Sequence, residues 1–360
     1  GTGLNPLRGQ NNVQGCSDSG CMPNVYTAYQ PLTDLDVRRK FEEYWHTRLP
    51  EQPGLTTTEM VDGILSGQVK GWYVMGENPL MSEPNLHHAQ EAIEQLEFFV
   101  AQDIFFNETS VYADVILPAA SFAEKEGTYT NTDRRVQRTR KAIEPIGESK
   151  SDWRIICELA REMGSEGFQY ASAEEVMKEI SGLTPSYGGI SYERLDRGEV
   201  LHWPCPQEGH PGTPFLHKDG FIRGKGRFFA VDYVPPAELA DEEYPYLLNT
   251  GRVPFHFHGG SMTRRIDRLE EEVSTGFVDI HPEDADKLAV VDGDSLKVTS
   301  RRGEISIHAR ITDEVEPGMV FIPMHFSECA VNMLTDTKLD PQAKIPNLKI
   351  CAVRLERENA

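Results

Sequence analysis

The sequence predicts an α/β region built on a parallel sheet, followed by a C-terminal β-barrel. Three observations predict it. Between residues 72 and 118, short apolar strands flank a helical pattern at the spacing of a βαβ unit. From residue 244 onward, several short strands are separated by turn signals at regular spacing, which suggests a closed barrel. The length of 360 residues calls for two or three domains at roughly 100–200 residues each.

The elements follow in order. Residues 1–30 are rich in Gly, Asn, Gln and Pro and read as a long functional loop. Helices are expected over 36–46 and from Thr57 to just before Gly67. Residues 72–75 form a buried strand ending at Gly76. Residues 83–96 read as a helix with Leu86, Ala89, Ala92 and Leu96 near one face. Residues 98–101 and 113–118 are further strands. Ligands of such sheets bind at the carboxyl ends of the strands, here Gly76-Glu77-Asn78-Pro79 and Asp103-Ile104. An amphipathic helix over 151–163 closes at Gly164, and Ser172-Ala173-Glu174-Glu175 opens another that closes at Gly182. Residues 183–235 read as hairpins and loops, and 235–243 as a linker. Strands are then expected at 246–248 and 276–280, with a short helix from His281 that has Pro282 in its first turn. A hairpin pairs 295–300 with 304–311 around Arg301-Arg302-Gly303, and 319–323 is a last strand. The expected domains are 1–170, an α/β domain; 171–243, a connecting segment; and 244–360, the barrel.

Composition narrows the function. Lys and Arg total 36 against 57 Asp and Glu, a formal charge of −21. Nucleic acid and anionic membrane surfaces want the opposite sign, and no apolar run approaches the ~20 residues of a membrane span. The six cysteines, at 16, 21, 157, 205, 329 and 351, make no dense disulfide framework. Cys16 and Cys21 lack the CxxC spacing of zinc or iron–sulfur sites. Free thiols in a reducing cytoplasm are expected.

Several loops concentrate hydrogen-bond donors. Asn5-Pro6-Leu7-Arg8-Gly9-Gln10-Asn11-Asn12-Val13-Gln14-Gly15 could hold a carboxylate or phosphate through Arg8 and read a heteroaromatic edge through its amides, or be a polar surface turn. Gly76 and Glu77 after a strand could meet a ligand, or be a plain βα turn. Asp103, with Asn107 nearby, could accept two hydrogens from an amino-purine such as guanine, or cap a following helix. Gly251 and Arg252, with His256, His258, Ser261 and Thr263 behind them, suit a phosphate better than a metal, since nothing is spaced to complete a metal site. His325, Asn332 and Asn347 are each compatible with structural roles. The run from Thr128 to Gln137 is also donor-rich. Ser-His-Asp and Cys-His nucleophilic arrangements find no support. These residues describe an acidic protein with loops suited to a large polyanionic, heterocyclic ligand, without naming a reaction.

The loop at 5–15 resembles the signature of the catalytic (alpha) subunit of molybdenum- or tungsten-dependent formate dehydrogenases, in the dimethyl-sulfoxide-reductase family of molybdopterin oxidoreductases. The likeness continues at Tyr73–Pro79, Gln102–Phe105, Ala113–Pro118, Asn249–Arg252, Ser261–Thr263, Lys344–Asn347 and Cys351–Arg354. It implies an α/β domain of molybdopterin oxidoreductase type and, over 244–360, a six-stranded double-psi barrel that binds the pterin dinucleotide. It implies bis(molybdopterin guanine dinucleotide) with Mo or W, oxidation of formate to CO2, and electron-transfer subunits of iron–sulfur or flavin type. Arg8 and Gln10 match catalytic positions. Gly76, Glu77, Asp103, Asn107, Gly251, Arg252, His256, His258, His325, Asn332 and Asn347 match cofactor-binding ones.

The departures are also informative. The family's four-cysteine [4Fe–4S] motif, its Cys or selenocysteine metal ligand and the lysine of its electron path have no counterpart here, so no protein ligand to the metal is expected. With the unusual start Gly1-Thr2-Gly3-Leu4, this leads to the expectation that the chain is the C-terminal half of such a subunit and inactive by itself. A nitrate reductase, a formylmethanofuran dehydrogenase and a non-catalytic scaffold of the same fold are the competing expectations. No nucleic acid, no direct membrane insertion and a cytoplasmic location complete the reading.

Overall fold

The computed structural model describes residues 10–358. The chain divides into two compact units, each assembled from two separated stretches. One combines the residues up to Thr56 with Pro118–Val231, the other Thr57–Leu117 with Asp232–Ala360.

The first stretch holds α1 (Val13–Asp18), the ribbon of β1 (Val25–Tyr26) and β2 (Gln30–Pro31), and α2 (Leu35–Trp45). The second holds α3 (Thr57–Leu65), β3 (Gly71–Met75), α4 (Pro79–Ser82), α5 (Leu86–Glu94), β4 (Phe98–Asp103) and β5 (Val115–Pro118). The third holds β6 (Gly127–Thr130), β7 (Arg135–Thr139), α6 (Asp152–Glu162), α7 (Ala173–Leu183), α8 (Tyr192–Asp196) and β8 (Leu201–His202). The last holds β9 (Tyr246–Gly251), α9 (Asp267–Glu272), β10 (Phe277–Ile280), α10 (Pro282–Leu288), β11 (Ser295–Thr299), β12 (Glu304–Ile311), β13 (Met319–Pro323) and β14 (Ile350–Arg357).

In the first unit, β6, β7 and β8 form an antiparallel sheet. Val136, Met177, Ile190, Tyr192 and Leu201 build its core. α7 starts where the Ser172 hydroxyl accepts the Glu175 N–H, which satisfies an amide that the first helical turn leaves unpaired.

In the second unit, β3 and β4 run parallel, Gly71 opposite Phe98 through Met75 opposite Gln102, and β5 flanks β4. Val74, Ile93 and Phe99 pack beside them. The same unit contains a closed six-stranded barrel in the order β10-β12-β11-β14-β9-β13, as the sequence led one to expect. β12 shows why it closes: Ile305, Ile307 and Ala309 are buried while Ser306 and His308 between them, and Arg310 after them, face out, the period-2 pattern of a strand with one covered face. Leu248, Val278, Ile280, Leu296, Val298, Val320 and Ile322 fill the interior at or near zero exposure. Each such burial is worth roughly 1.5–3 kcal/mol. On the outside, Arg310 pairs with Asp279 directly across β10 and β12, through Nε at 2.5 Å and Nη2 at 2.8 Å.

Three local expectations are corrected. The helix expected over 83–96 begins at Leu86, because Glu83 is extended and Asn85 is left-handed around Pro84; α4 is a separate turn that opens with Pro79. Residues 183–235 are not only hairpins and loops: α8 starts there, capped by Ser191. β14 falls on 350–357, where no strand was expected.

Candidate functional site

The candidate residues divide between the two units. Arg8 lies outside the described residues. Gln10 belongs to the first unit, and every other candidate to the second.

In the first unit, Gln10, Asn12 and Gln14 line a cavity of about 400 Å³ with Tyr129, Thr130 and Gln137. The two donor-rich loops of the sequence thus face one space. Asn12 Oδ1 accepts the Thr130 N–H at 2.9 Å, and Gln14 donates to Asp18 at 2.8 Å and to the Tyr29 hydroxyl at 3.0 Å. The Tyr187 hydroxyl donates to Asp18 at 2.6 Å and lies 3.1 Å from the Thr130 hydroxyl. Burial, then the Asp18 carboxylate, pushes the Tyr187 phenol up, so it stays protonated and holds this wall in place.

In the second unit, the carboxyl ends of β3 and β4 carry two carboxylates, Glu77 and Asp103, and Glu83 after α4 lies near Glu77. Gly76, at φ +66°, has open space where a Cβ would point. Its N–H extends the pairing by bonding the Gln102 carbonyl at 2.8 Å. Asp103 ends β4 and accepts the Ile104 N–H at 2.6 Å and the Asn107 amide at 2.9 Å. Asn107 is buried, and its Oδ1 accepts the N–H groups of Thr109 and Ser110. Glu77 keeps an exposed surface, yet desolvation of its carboxylate, then Asp103, raises its pKa. Glu83 is buried, and that burial, with Glu77 nearby, pushes it up to about 7. Carboxyls that disfavour one another's ionisation in this way favour a partner rich in N–H donors.

The loop after β9 gathers the cationic candidates. Gly251 is the last residue of β9, opposite Pro323 of β13. His325 is fully buried; its Nε2 accepts the Val253 N–H at 2.9 Å and its Nδ1–H donates to the His258 carbonyl. These partners fix one neutral tautomer, and burial lowers its pKa. His256 donates from Nε2 to the Val273 carbonyl at 2.6 Å, which leaves Nδ1 to accept the Thr263 hydroxyl at 3.3 Å. Both histidines therefore hold the loop's shape. His258 is half-buried at φ +50°, and burial followed by Arg252 lowers its pKa. Arg252 is exposed, and among the described residues none hydrogen-bonds to its guanidinium.

Asn332 is buried and donates to the Met81 carbonyl at 2.9 Å, tying the barrel to α4. Asn347 donates to the Ile350 carbonyl at 3.1 Å, just ahead of β14.

Sequence reasoning missed three residues. Desolvation, then Arg252, lowers the Lys349 pKa, which places that ammonium in the same cationic group. Thr250 N–H bonds the Lys349 carbonyl at 3.2 Å and so fixes the neighbourhood. Arg265 donates to the Phe106 carbonyl at 2.8 Å, with its guanidinium 4.6 Å from the Phe105 ring centre, and so joins the loop after β9 to the turn after β4. Glu83 is the third. Lys349, two residues past Asn347, and Arg265, two past Thr263, each had a nearby signal.

The chain matches two family descriptions, Molybdopterin oxidoreductase over residues 8–162 and Molydopterin dinucleotide binding domain over residues 246–352. The chain belongs to the molybdopterin oxidoreductases. Among curated members, it is 51% identical to the F420-dependent formate dehydrogenase subunit alpha of Methanocaldococcus jannaschii, over 99% of this chain and 53% of that protein. It is 47% identical to the F420-dependent formate dehydrogenase 1 subunit alpha of Methanococcus maripaludis, over the same shares. This molybdopterin oxidoreductase chain thus spans about half the length of the curated relatives it matches. Its fold is similar to that of acetylene hydratase from Pelobacter acetylenicus, with a TM-score of 0.66 at 19% identity over 89% of this chain and 49% of that one.

Proposed function

We propose that this chain forms part of the catalytic subunit of a formate dehydrogenase and helps to hold bis(molybdopterin guanine dinucleotide) with Mo or W. The observation that carries the reading is the pairing, within one unit, of a braced acceptor with an unneutralised cationic group. Asp103 presents a carboxylate held from behind by Asn107, which suits the adjacent N–H donors of guanine. Arg252 and Lys349 supply the positive field that suits phosphates, with the His258 imidazole beside Arg252. The donor set therefore fits a guanine dinucleotide.

When bound, the metal–pterin group supplies the two-electron sink that formate oxidation requires. The chain's own residues bind and orient. Gly76 leaves room for close approach to the backbone, and Asn332 and Asn347 fix the segments around the cradle. Arg8 holds the formate carboxylate through paired donors, with Gln10 beside the pterin. Formate then yields CO2, a proton and two electrons. A [4Fe–4S] cluster borne by another part of the subunit would take up the electrons, and an iron–sulfur or flavin partner would receive them. The names of the two archaeal relatives favour coenzyme F420 as final acceptor. The domain bounds 1–170, 171–243 and 244–360 and a cytoplasmic location belong to the same proposal. Among the described residues, no helix is long and apolar enough to cross a membrane.

The experiment is Arg8→Lys beside Asp103→Asn in the full-length enzyme. Lysine keeps the charge of Arg8 and loses its fork. Formate-dependent dye reduction should fall on the order of 100-fold in Arg8→Lys while metal and pterin content hold. Asp103→Asn should lower the pterin content itself. Unchanged turnover in the first, or unchanged cofactor content in the second, overturns the corresponding assignment.

A further inference from the structure

Two thiols at the end of α1 have no part in the reading above. The helix closes in a turn with paired bonds: Gly20 N–H donates to the Ser17 carbonyl at 3.1 Å, and Cys21 N–H to the Cys16 carbonyl at 3.2 Å. This Schellman pattern needs a left-handed residue between its two bonds. Gly20 has φ +86°, and a Cβ there would lie 2.9 Å from backbone atoms of Tyr26 and Thr27, so only glycine fits.

Such a turn sets the side chain three places before the helix end against the one following the glycine, usually as an apolar contact. Here both are cysteine, and their thiols are hydrogen-bonded. The amide–carbonyl bond keeps the Cα separation at or below roughly 7 Å, the most that a disulfide bridges. Neither cysteine is in a disulfide and both are exposed, whereas the other four cysteines are buried. Burial pushes Cys329 and Cys351 up to about 12. The hydrogen bond from Cys16 instead lowers Cys21 to about 6, against the opposing effect of burial, so Cys21 carries a thiolate at neutral pH.

We propose that Cys16 and Cys21 form a thiol–disulfide exchange site for low-molecular-weight disulfides. The Cys21 thiolate attacks one sulfur of a disulfide RSSR; the Cys21–SR bond forms, the S–S bond of RSSR breaks and RS⁻ leaves. Cys16 gives its proton to that RS⁻, and the resulting Cys16 thiolate attacks the Cys21 sulfur and expels the second RS⁻. The protein loses one electron pair to the bound disulfide, which departs as RSH and RS⁻. The site lies at one end of α1, whose other end carries Gln14 of the cavity wall.

The test uses oxidised glutathione as probe on the purified protein. After acid quenching, alkylation and trypsin, cleavage at Arg8 and Arg38 isolates both cysteines in one peptide. The expected product is that peptide, two hydrogens lighter, unlabelled, and restored by reductant. Cys16→Ser should stop at a mixed disulfide on Cys21. The rate of the wild-type reaction should rise with a midpoint near pH 6. A persistent dithiol, separate glutathione adducts on both residues without an internal bond, or a midpoint above pH 8 would overturn the proposal.

Discussion

Asn107 donates its side-chain amide to the Asp103 carboxylate at 2.9 Å while its own Oδ1 accepts two backbone N–H groups, from Thr109 and Ser110. The turn after β4 therefore orients the carboxylate before any ligand arrives.

Asn107→Ala should cost about 1–3 kcal/mol in thermal unfolding, since it strands buried N–H groups. It should also lower pterin retention. Asn107→Asp should be worse on both measures, because it sets a second negative charge against Asp103. Equal retention in the wild type and both variants would separate Asn107 from the cofactor role of Asp103.

Glu83 makes stability depend on pH. Burial, then Glu77, pushes its folded carboxyl up to about 7 from the ordinary 4.5. Well below pH 4.5 it is protonated folded and unfolded, and contributes nothing. Between 4.5 and 7 the unfolded chain releases this proton more readily, so stability falls as pH rises. Above 7 the penalty levels off at roughly 3 kcal/mol. Glu83→Gln should therefore raise Tm at pH 8 and leave it nearly unchanged at pH 4; equal shifts at the two pH values would exclude this origin.

His325 is clamped between Val253 N–H and the His258 carbonyl. His325→Leu removes both partners inside a buried site and should cost on the order of 3–5 kcal/mol. His325→Gln, which offers one acceptor and one donor, should recover part of that. Calorimetry of the three proteins gives the ranking, and a leucine variant as stable as wild type would refute the clamp.

Arg252 lowers the pKa of His258, after burial. Arg252→Gln should raise that pKa towards the ordinary histidine range while leaving the burial effect in place. Proton NMR titration of the His258 ring reads it directly, and an unmoved or lower value would show that the two groups do not interact.

Much of this architecture was legible in the sequence. The strand over 72–75 is a short apolar run stopped by glycine, and 304–311 alternates strictly, so both announce a strand locally, although the burial expected over 72–75 holds only for Val74, with Tyr73 and Met75 exposed. α5 was mis-started because its apolar spacing runs back through Pro84, and only the left-handed Asn85 shows the break. β14 was missed because Cys351, Ala352 and Val353 are all buried, which erases the alternation that marks a strand. The candidate loops stood out by their donors, but their partners did not. The His325 ring reaches Val253 across 72 residues of sequence, and Lys349 comes beside Arg252 through the pairing of β14 with β9. No periodicity encodes either contact.

The bond from Asn332 to the Met81 carbonyl also sets a schedule. Its two residues are 251 positions apart. At roughly 5–20 residues per second of synthesis, the acceptor leaves the ribosome about 10–50 s before its donor exists. Over that interval the β3–β4 sheet waits for the barrel while the intervening stretch emerges. Faster folding of the barrel could not shorten the wait, because the pace is set by translation.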